Sequence, residues 1–258
     1  MLTSLQNPKV KEAIRLRERR ARDKGQKFLI EGYRELTRAL EGEFPCERLF
    51  VCPEFFLGTN EPALIESLKA RGTEVEVCSK RVFEKLSYRD RPDGLLAIAP
   101  QVHRGLNSLE GAFFLVAEAI EKPGNLGTLL RSADAVGVDG VILCDRCTDL
   151  FNPNVVRASV GTLFTQPVVE AEGEETREWL KKRGIQIVAA TPHVKRLYTE
   201  ADLSGPIAIV VGTEQLGLSQ AWMEAADIQV AIPMRGAADS LNVATATTVL
   251  LYEALRQR

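Results

Sequence analysis

Beyond residue 112 the chain repeats one pattern: a run of apolar residues, a short loop, then a helical periodicity. Apolar runs at 113–120, 140–144, 186–190, 206–212 and 228–232 alternate with helical patterns near 126–136, 174–183, 219–226 and 243–256. Strands that are apolar nearly throughout, rather than at every second residue, are buried on both faces. A mostly parallel sheet with helices on both faces meets that need, so the expected fold class is α/β. Open sheets of this kind bind ligands in the crevice beyond the carboxyl ends of their strands, which places the chemistry in the loops after each run.

The first hundred residues carry a smaller α/β series: strands at 28–30, 49–51, 74–77 and 95–99, with helices at 33–40 and 63–71. Residues 100–107 lack periodicity and contain proline and glycine. The expected organisation is therefore a domain over 1–100, a linker over 101–111 and a second domain over 112–258. At the N-terminus, Ser4 and Asn7-Pro8 offer a cap and a first-turn proline. Val10, Ala13, Ile14 and Ala21 give only a sparse apolar stripe, so a mostly exposed basic helix is expected. Residues 1–30 hold nine Lys/Arg against three acids, a local balance of +6 in a chain whose net charge is −2. Such a run is either a solvated helix face or a phosphate-contacting arm.

With 258 residues and 45% hydrophobic composition the chain can bury a real core. Its apolar stretches stop well short of the ~20 residues that a bilayer span requires, and the start has no secretory h-region, so no membrane association and a cytoplasmic location are expected. Five cysteines at irregular spacing fit reduced thiols. Cys144-Asp145-Arg146-Cys147 lacks the second pair or nearby histidines of a zinc site and reads as packing at a strand end. His103 and His193, the two histidines, lie outside every motif, so neither metal nor histidine acid–base chemistry is expected.

Three strand-end motifs remain. The run from Glu121 to Arg131 (EKPGNLGTLLR) is a glycine-rich turn feeding a helix, with Asn125 and Arg131 in its first two turns. It matches neither G-x-G-x-x-G nor a P-loop, which removes dinucleotide and nucleoside-triphosphate readings, a Rossmann dehydrogenase among them. The second, Val211 to Ser219 (VGTEQLGLS), places Glu214 at a strand end between Gly212 and Gly217. The third, Ile232 to Ala244 (IPMRGAADSLNVA), is a strand end, a polar loop and the start of the last helix. Ser240 or Asn242 would cap that helix.

Taken together, N-x-G-x-x-x-R, then G-T-E-x-x-G-L-S, then I-P-M with S-L-N-V-A, Leu241 standing nine residues after Ile232, resembles the SpoU (TrmH-like) branch of the SPOUT RNA methyltransferases over residues 112–258. Arg157-Ala158-Ser159-Val160-Gly161 shares the resemblance, and 28–36 (FLIEGYREL) resembles a ribosomal-protein-L30e-like substrate-binding domain. One departure is Lys122, which separates Glu121 from Pro123 where many such proteins have an adjacent acid–proline pair. The resemblance implies a C-terminal trefoil knot, a homodimer, S-adenosylmethionine as cofactor and methylation of a ribose 2′-hydroxyl in RNA. Ribosomal RNA, 23S in particular, is expected before transfer RNA. By position it assigns Asn125, Arg131, Glu214, Ser240 and Asn242 to the reacting ribose, and Thr191, Gly212, Ile232, Met234, Leu241 and Ala244 to the cofactor cradle. A guanidinium stays protonated in proteins and is a poor proton acceptor, so Arg131 is expected to clamp an RNA phosphate and steer the 2′-oxygen. The competing reading is a non-catalytic RNA-binding protein, which would have no need of all five polar residues and would not bind the cofactor in a calorimeter.

Overall fold

Asn7 accepts the Lys9 amide with its side chain and Pro8 takes the first helical position, and together they start α1 (Pro8–Arg15). The chain then turns at Leu16 and starts a second helix, α2 (Arg19–Gly25), so the single basic helix expected from sequence is two. The computed structural model describes residues 1–213 and 215–258. They fall into two units: Met1–Val102 with Asp149–Thr165, and His103–Thr148 with Gln166–Arg258. The expected division treats the domains as consecutive, whereas the short stretch Asp149–Thr165 packs with the first unit.

In the first unit the chain continues through β1 (Lys27–Glu31), α3 (Tyr33–Glu41), β2 (Arg48–Val51), α4 (Glu61–Ala70), β3 (Glu74–Val77), α5 (Lys80–Leu86) and β4 (Leu95–Pro100). The sheet order is β1-β4-β2-β3, with β4 antiparallel to both neighbours and β2 parallel to β3. Val10, Ala13 and Leu16 are buried with Val82, Phe83 and Leu86 of α5, so the sparse stripe of α1 is a packing face. Much of the basic run has structural work. Arg22 is 1% exposed, and its guanidinium donates to Asp149 Oδ2 at 2.6 and 2.8 Å and to the carbonyls of Leu16 and Arg17. Arg17 donates to the last two carbonyls of α5, at Lys85 and Leu86, and to that of Ser87, which follows the helix.

Lys9 pairs with Glu74 and Glu76 of β3, and Arg48 joins Glu74 to Glu12. Lys9 and Arg48 hold the Glu74 carboxyl down at about 2. A carboxylate whose pKa is depressed by folding stabilises the native state fully above its unfolded value and loses that contribution as pH falls through the folded one. Glu74→Gln is therefore expected to lower stability at pH 7 and to converge with the parent between roughly pH 4.5 and pH 2, read by urea titrations at stepped pH. A gap that stays constant down to pH 2 would contradict this.

The second unit holds β5 (Phe113–Glu118), α6 (Pro123–Val136) and β6 (Gly140–Cys144). After α7 (Pro153–Ala158), which lies in the first unit, it resumes with β7 (Val168–Ala171), α8 (Gly173–Lys182), β8 (Gln186–Ala190), β9 (Ile207–Val211), α9 (Gln220–Ala225), β10 (Ile228–Val230) and α10 (Val243–Gln257). The order is β10-β8-β9-β5-β6-β7, and every described pairing is parallel. Phe114, Val116 and Ile142 pack with Leu180 of α8 and Trp222 of α9. The residues between them along each strand point to the opposite face, where α6 lies on β6 and α10 on β9. Among the described residues no helix is long and apolar enough to cross a membrane.

Candidate active site

The loops that leave β5, β8, β9 and β10 all emerge at the carboxyl edge of adjacent parallel strands. The first and third motifs meet directly. Asn242 is the N-cap of α10, its Oδ1 accepting the Ala244 amide at 3.0 Å, and its Nδ2 donates to Asn125 Oδ1 at 3.2 Å. One side chain therefore starts a helix and joins two segments 117 residues apart. Seven residues on from Asn125, on the same face of α6, Ser132 Oγ and Thr248 Oγ1 of α10 share a hydrogen bond of 2.7 Å. This face of α6 is thus fixed against α10 at two levels.

Asn125 is the acceptor in that bond and keeps its own amide donors. Its Nδ2 is buried and, among the described residues, has no partner. A buried amide N–H without an acceptor is costly, and at a strand-end crevice it suits an oxygen of an incoming ligand. Arg131 is exposed. Six residues along a helix place it about 9 Å from Asn125 along the axis and off its face. Ser240 is exposed and lies 3.4 Å from Asp239 Oδ1. Glu214 lies outside the described residues.

The six expected cradle residues lie on the same edge. Thr191 follows β8, its amide bonded to Val230 of β10 and its hydroxyl 3.3 Å from the His193 amide. Gly212 follows β9. Thr213 and Gly217 exchange both backbone hydrogen bonds, and a Cβ at Gly212 would collide with the Gly217 carbonyl, so only glycine fits. Ile232 and Met234 are half-buried after β10, Ala244 is buried in the first turn of α10, and Leu241 is exposed beside the Asn242 cap. An apolar, backbone-rich edge of this kind suits an adenosine, which needs shape and main-chain hydrogen bonds more than charge.

Residues 112–252 match the SpoU rRNA Methylase family and residues 7–97 match the MRM3-like substrate binding domain. The chain belongs to the SpoU rRNA methylase family. It is 31% identical to the 23S rRNA (guanosine(2553)-2′-O)-methyltransferase RlmP of Bacillus subtilis, over 97% of each chain. It resembles a solved RNA 2′-O ribose methyltransferase at 45% identity and a TM-score of 0.86, covering 99% of this chain and 98% of that one. An AdoMet-bound rRNA methyltransferase from Sinorhizobium meliloti superposes with a TM-score of 0.90 at 33% identity, covering 99% and 97%.

Two features of this SpoU-family chain escape the motif reading. Glu118 ends the otherwise apolar β5, is buried, and accepts the Ser219 amide at 2.8 Å, which ties the end of the 212–219 loop to the central strand. A lone acid at the end of a buried strand is a signal that sequence inspection can use. Ala119, the next residue, has φ +50, a left-handed conformation strained for alanine, at the point where β5 turns toward α6. Cys144 ends β6, buried, its thiol pushed up to about 12 by burial, while Cys147 is exposed.

Proposed function

We propose that this chain transfers the methyl group of S-adenosylmethionine to a ribose 2′-hydroxyl of RNA, with 23S ribosomal RNA as the substrate and transfer RNA as the alternative. The observation that carries the reading is the Asn242–Asn125 hydrogen bond, which joins the first and third motifs beside a buried, unpaired amide donor. When bound, S-adenosylmethionine supplies an electrophilic methyl on a sulfonium. Thr191, Gly212, Ile232, Met234, Leu241 and Ala244 would hold it. Asn125 Nδ2 donates to an oxygen of the target nucleotide, Arg131 clamps an adjacent phosphate in a bidentate fork, and Ser240 and Glu214 complete the polar surround. The ribose 2′-oxygen would receive that methyl, and its proton would pass to water or a phosphate oxygen, since a guanidinium is no base near pH 7. In this reading the domain over 1–100 binds substrate, that over 112–258 catalyses, and α10 completes a trefoil knot. The exposed Tyr252 and Leu255 of α10 support a homodimer, and five free cysteines support a cytoplasmic setting.

Asn242→Asp separates capping from chemistry. Aspartate caps a helix as well as asparagine does, but it removes the donor to Asn125. The expected result is stability within ~0.5 kcal/mol of the parent with methyl transfer lowered roughly tenfold, the equivalent of about 1.4 kcal/mol. Asn242→Ala is expected to lose about 1 kcal/mol of stability as well. Unchanged turnover by Asn242→Asp, with melting and turnover measured on one preparation, would remove that hydrogen bond from the mechanism.

A further inference from the structure

Away from the methylase motifs, the first unit contains an open cavity of about 470 Å³ lined by Tyr33, Arg34, Leu57, Glu61, Arg89 and Asp93 among others. Two of its lining residues are carboxylates of which one oxygen each is bonded. Glu61 is 3% exposed and Asp93 is 8% exposed. Glu61 Oε1 accepts the amides of Leu57 and Gly58 at 3.0 and 2.8 Å, and Asp93 Oδ2 accepts that of Tyr33 at 2.8 Å. The remaining oxygens, Glu61 Oε2 and Asp93 Oδ1, are buried and, among the described residues, have no partner. Backbone amides hold the Glu61 carboxyl below its ordinary value, so it is an ionised acceptor at neutral pH. Buried carboxyl oxygens without donors are costly, and a ligand that brings donors removes that cost.

The rest of the cavity narrows the chemistry. Arg89 sits 2.6 Å from Glu35 and 3.8 Å from Asp93 Oδ2, and its positive charge opposes a metal ion there. Among the described residues, no three His, Cys, Asp or Glu side chains are arranged to hold one. The walls offer the half-buried Tyr33 ring and Leu57, which is 82% exposed although large and apolar, a suitable pair for the faces of a planar base. Exposed Arg34 supplies a charge for the phosphate beside it. The pocket is preformed: Arg89 bridges Glu35 and the Glu31 carbonyl, packed so closely beneath Gly32 (φ +115) that a Cβ there would collide with both side chains.

We propose that this cavity takes an unpaired guanine of the RNA substrate, its adjacent N1–H and N2–H₂ groups donating to Glu61 Oε2 and Asp93 Oδ1. Among the four bases only guanine presents two neighbouring donor groups on its Watson–Crick edge. Uracil flanks its single N–H with carbonyls that these carboxylates repel, and adenine and cytosine set a ring acceptor beside their amine. The proposal rests on the RNA-substrate reading above and adds to it which base the first unit selects.

The test uses the full-length protein and fluorescent single-stranded decamers of uridine, all-uridine or with one central guanosine, inosine or adenosine. Guanosine is expected to bind about tenfold tighter than uridine or adenosine, with inosine between them because it lacks the N2 amine. Glu61→Gln and Asp93→Asn should each bring the guanosine preference to within about twofold. The exposed Leu57→Ala, which cannot disturb the core, should weaken guanosine binding several-fold. Equal affinity of the parent for all four decamers, or a preference that survives both carboxamide variants, would overturn the proposal. Cofactor binding by calorimetry on the same preparations reports folding of the second unit. It also separates the two readings: a guanosine preference without cofactor binding leaves this pocket standing and counts against the methyltransferase.

Discussion

Replacing Arg131 by alanine is expected to lower kcat for methyl transfer by about 10²–10³-fold, the loss typical when a charge-stabilising donor is removed from a reacting centre. Stability should stay within ~0.5 kcal/mol, because the side chain is exposed. The residue lies on α6, which is held against α10 by Asn125–Asn242 and Ser132–Thr248, so the guanidinium projects from a rigid platform. A guanidinium has no lone pair to take up a proton, whereas its planar fork suits a phosphate bidentately. The Lys variant discriminates. A lysine retains the charge and loses the fork, and the clamp predicts a fall of at least tenfold with cofactor affinity unchanged. Near-normal turnover by Arg131→Lys would rule out the bidentate role, and single-turnover kinetics on the three proteins would measure it.

Asp149→Ala is expected to destabilise the first unit by ~3–5 kcal/mol, because it leaves the Arg22 guanidinium buried without its counter-charge. Asp149 also accepts the Phe151 amide at 2.9 Å, so the same change loosens the segment that brings Phe151 and Phe164 onto Phe28. The double variant Arg22→Met with Asp149→Leu removes both charges and should recover most of the loss. Urea unfolding of the three proteins checks this. A single variant that unfolds at the parent's midpoint would mean that the pair is not what anchors Asp149–Thr165.

The parts of this molecule that are legible in its sequence are those whose signal is local. β6 and β9 are uninterrupted apolar runs, β8 is one after its first residue, and α10 is a long periodic segment, so their places follow from the local pattern alone. β7 offers only Val168 and Val169 after a proline, and α7 spans six residues, too few for a period to show. The return of Asp149–Thr165 to the first unit depends on Arg22, 127 residues upstream of its partner, and no local pattern records such a contact. For the same reason a basic run at the N-terminus reads as a solvated face or a phosphate arm, although Arg22 is core and Arg17 closes α5. At the site, order and spacing of the three motifs are visible in the chain, while the joining of Asn125 to Asn242 needs the sheet. Glu118 is equally visible, but an acid inside an apolar run gives no motif to match.

The central claim is tested most directly by incubating the purified protein with methyl-tritiated S-adenosylmethionine and 23S ribosomal RNA, then digesting the product with alkali. A methyl group on a ribose 2′-oxygen blocks cleavage of the adjacent phosphodiester, so the account predicts label in alkali-resistant dinucleotides and none with Arg131→Ala. Label confined to mononucleotides, which would place the methyl on a base, or no transfer to 23S or transfer RNA despite intact cofactor binding, would contradict it.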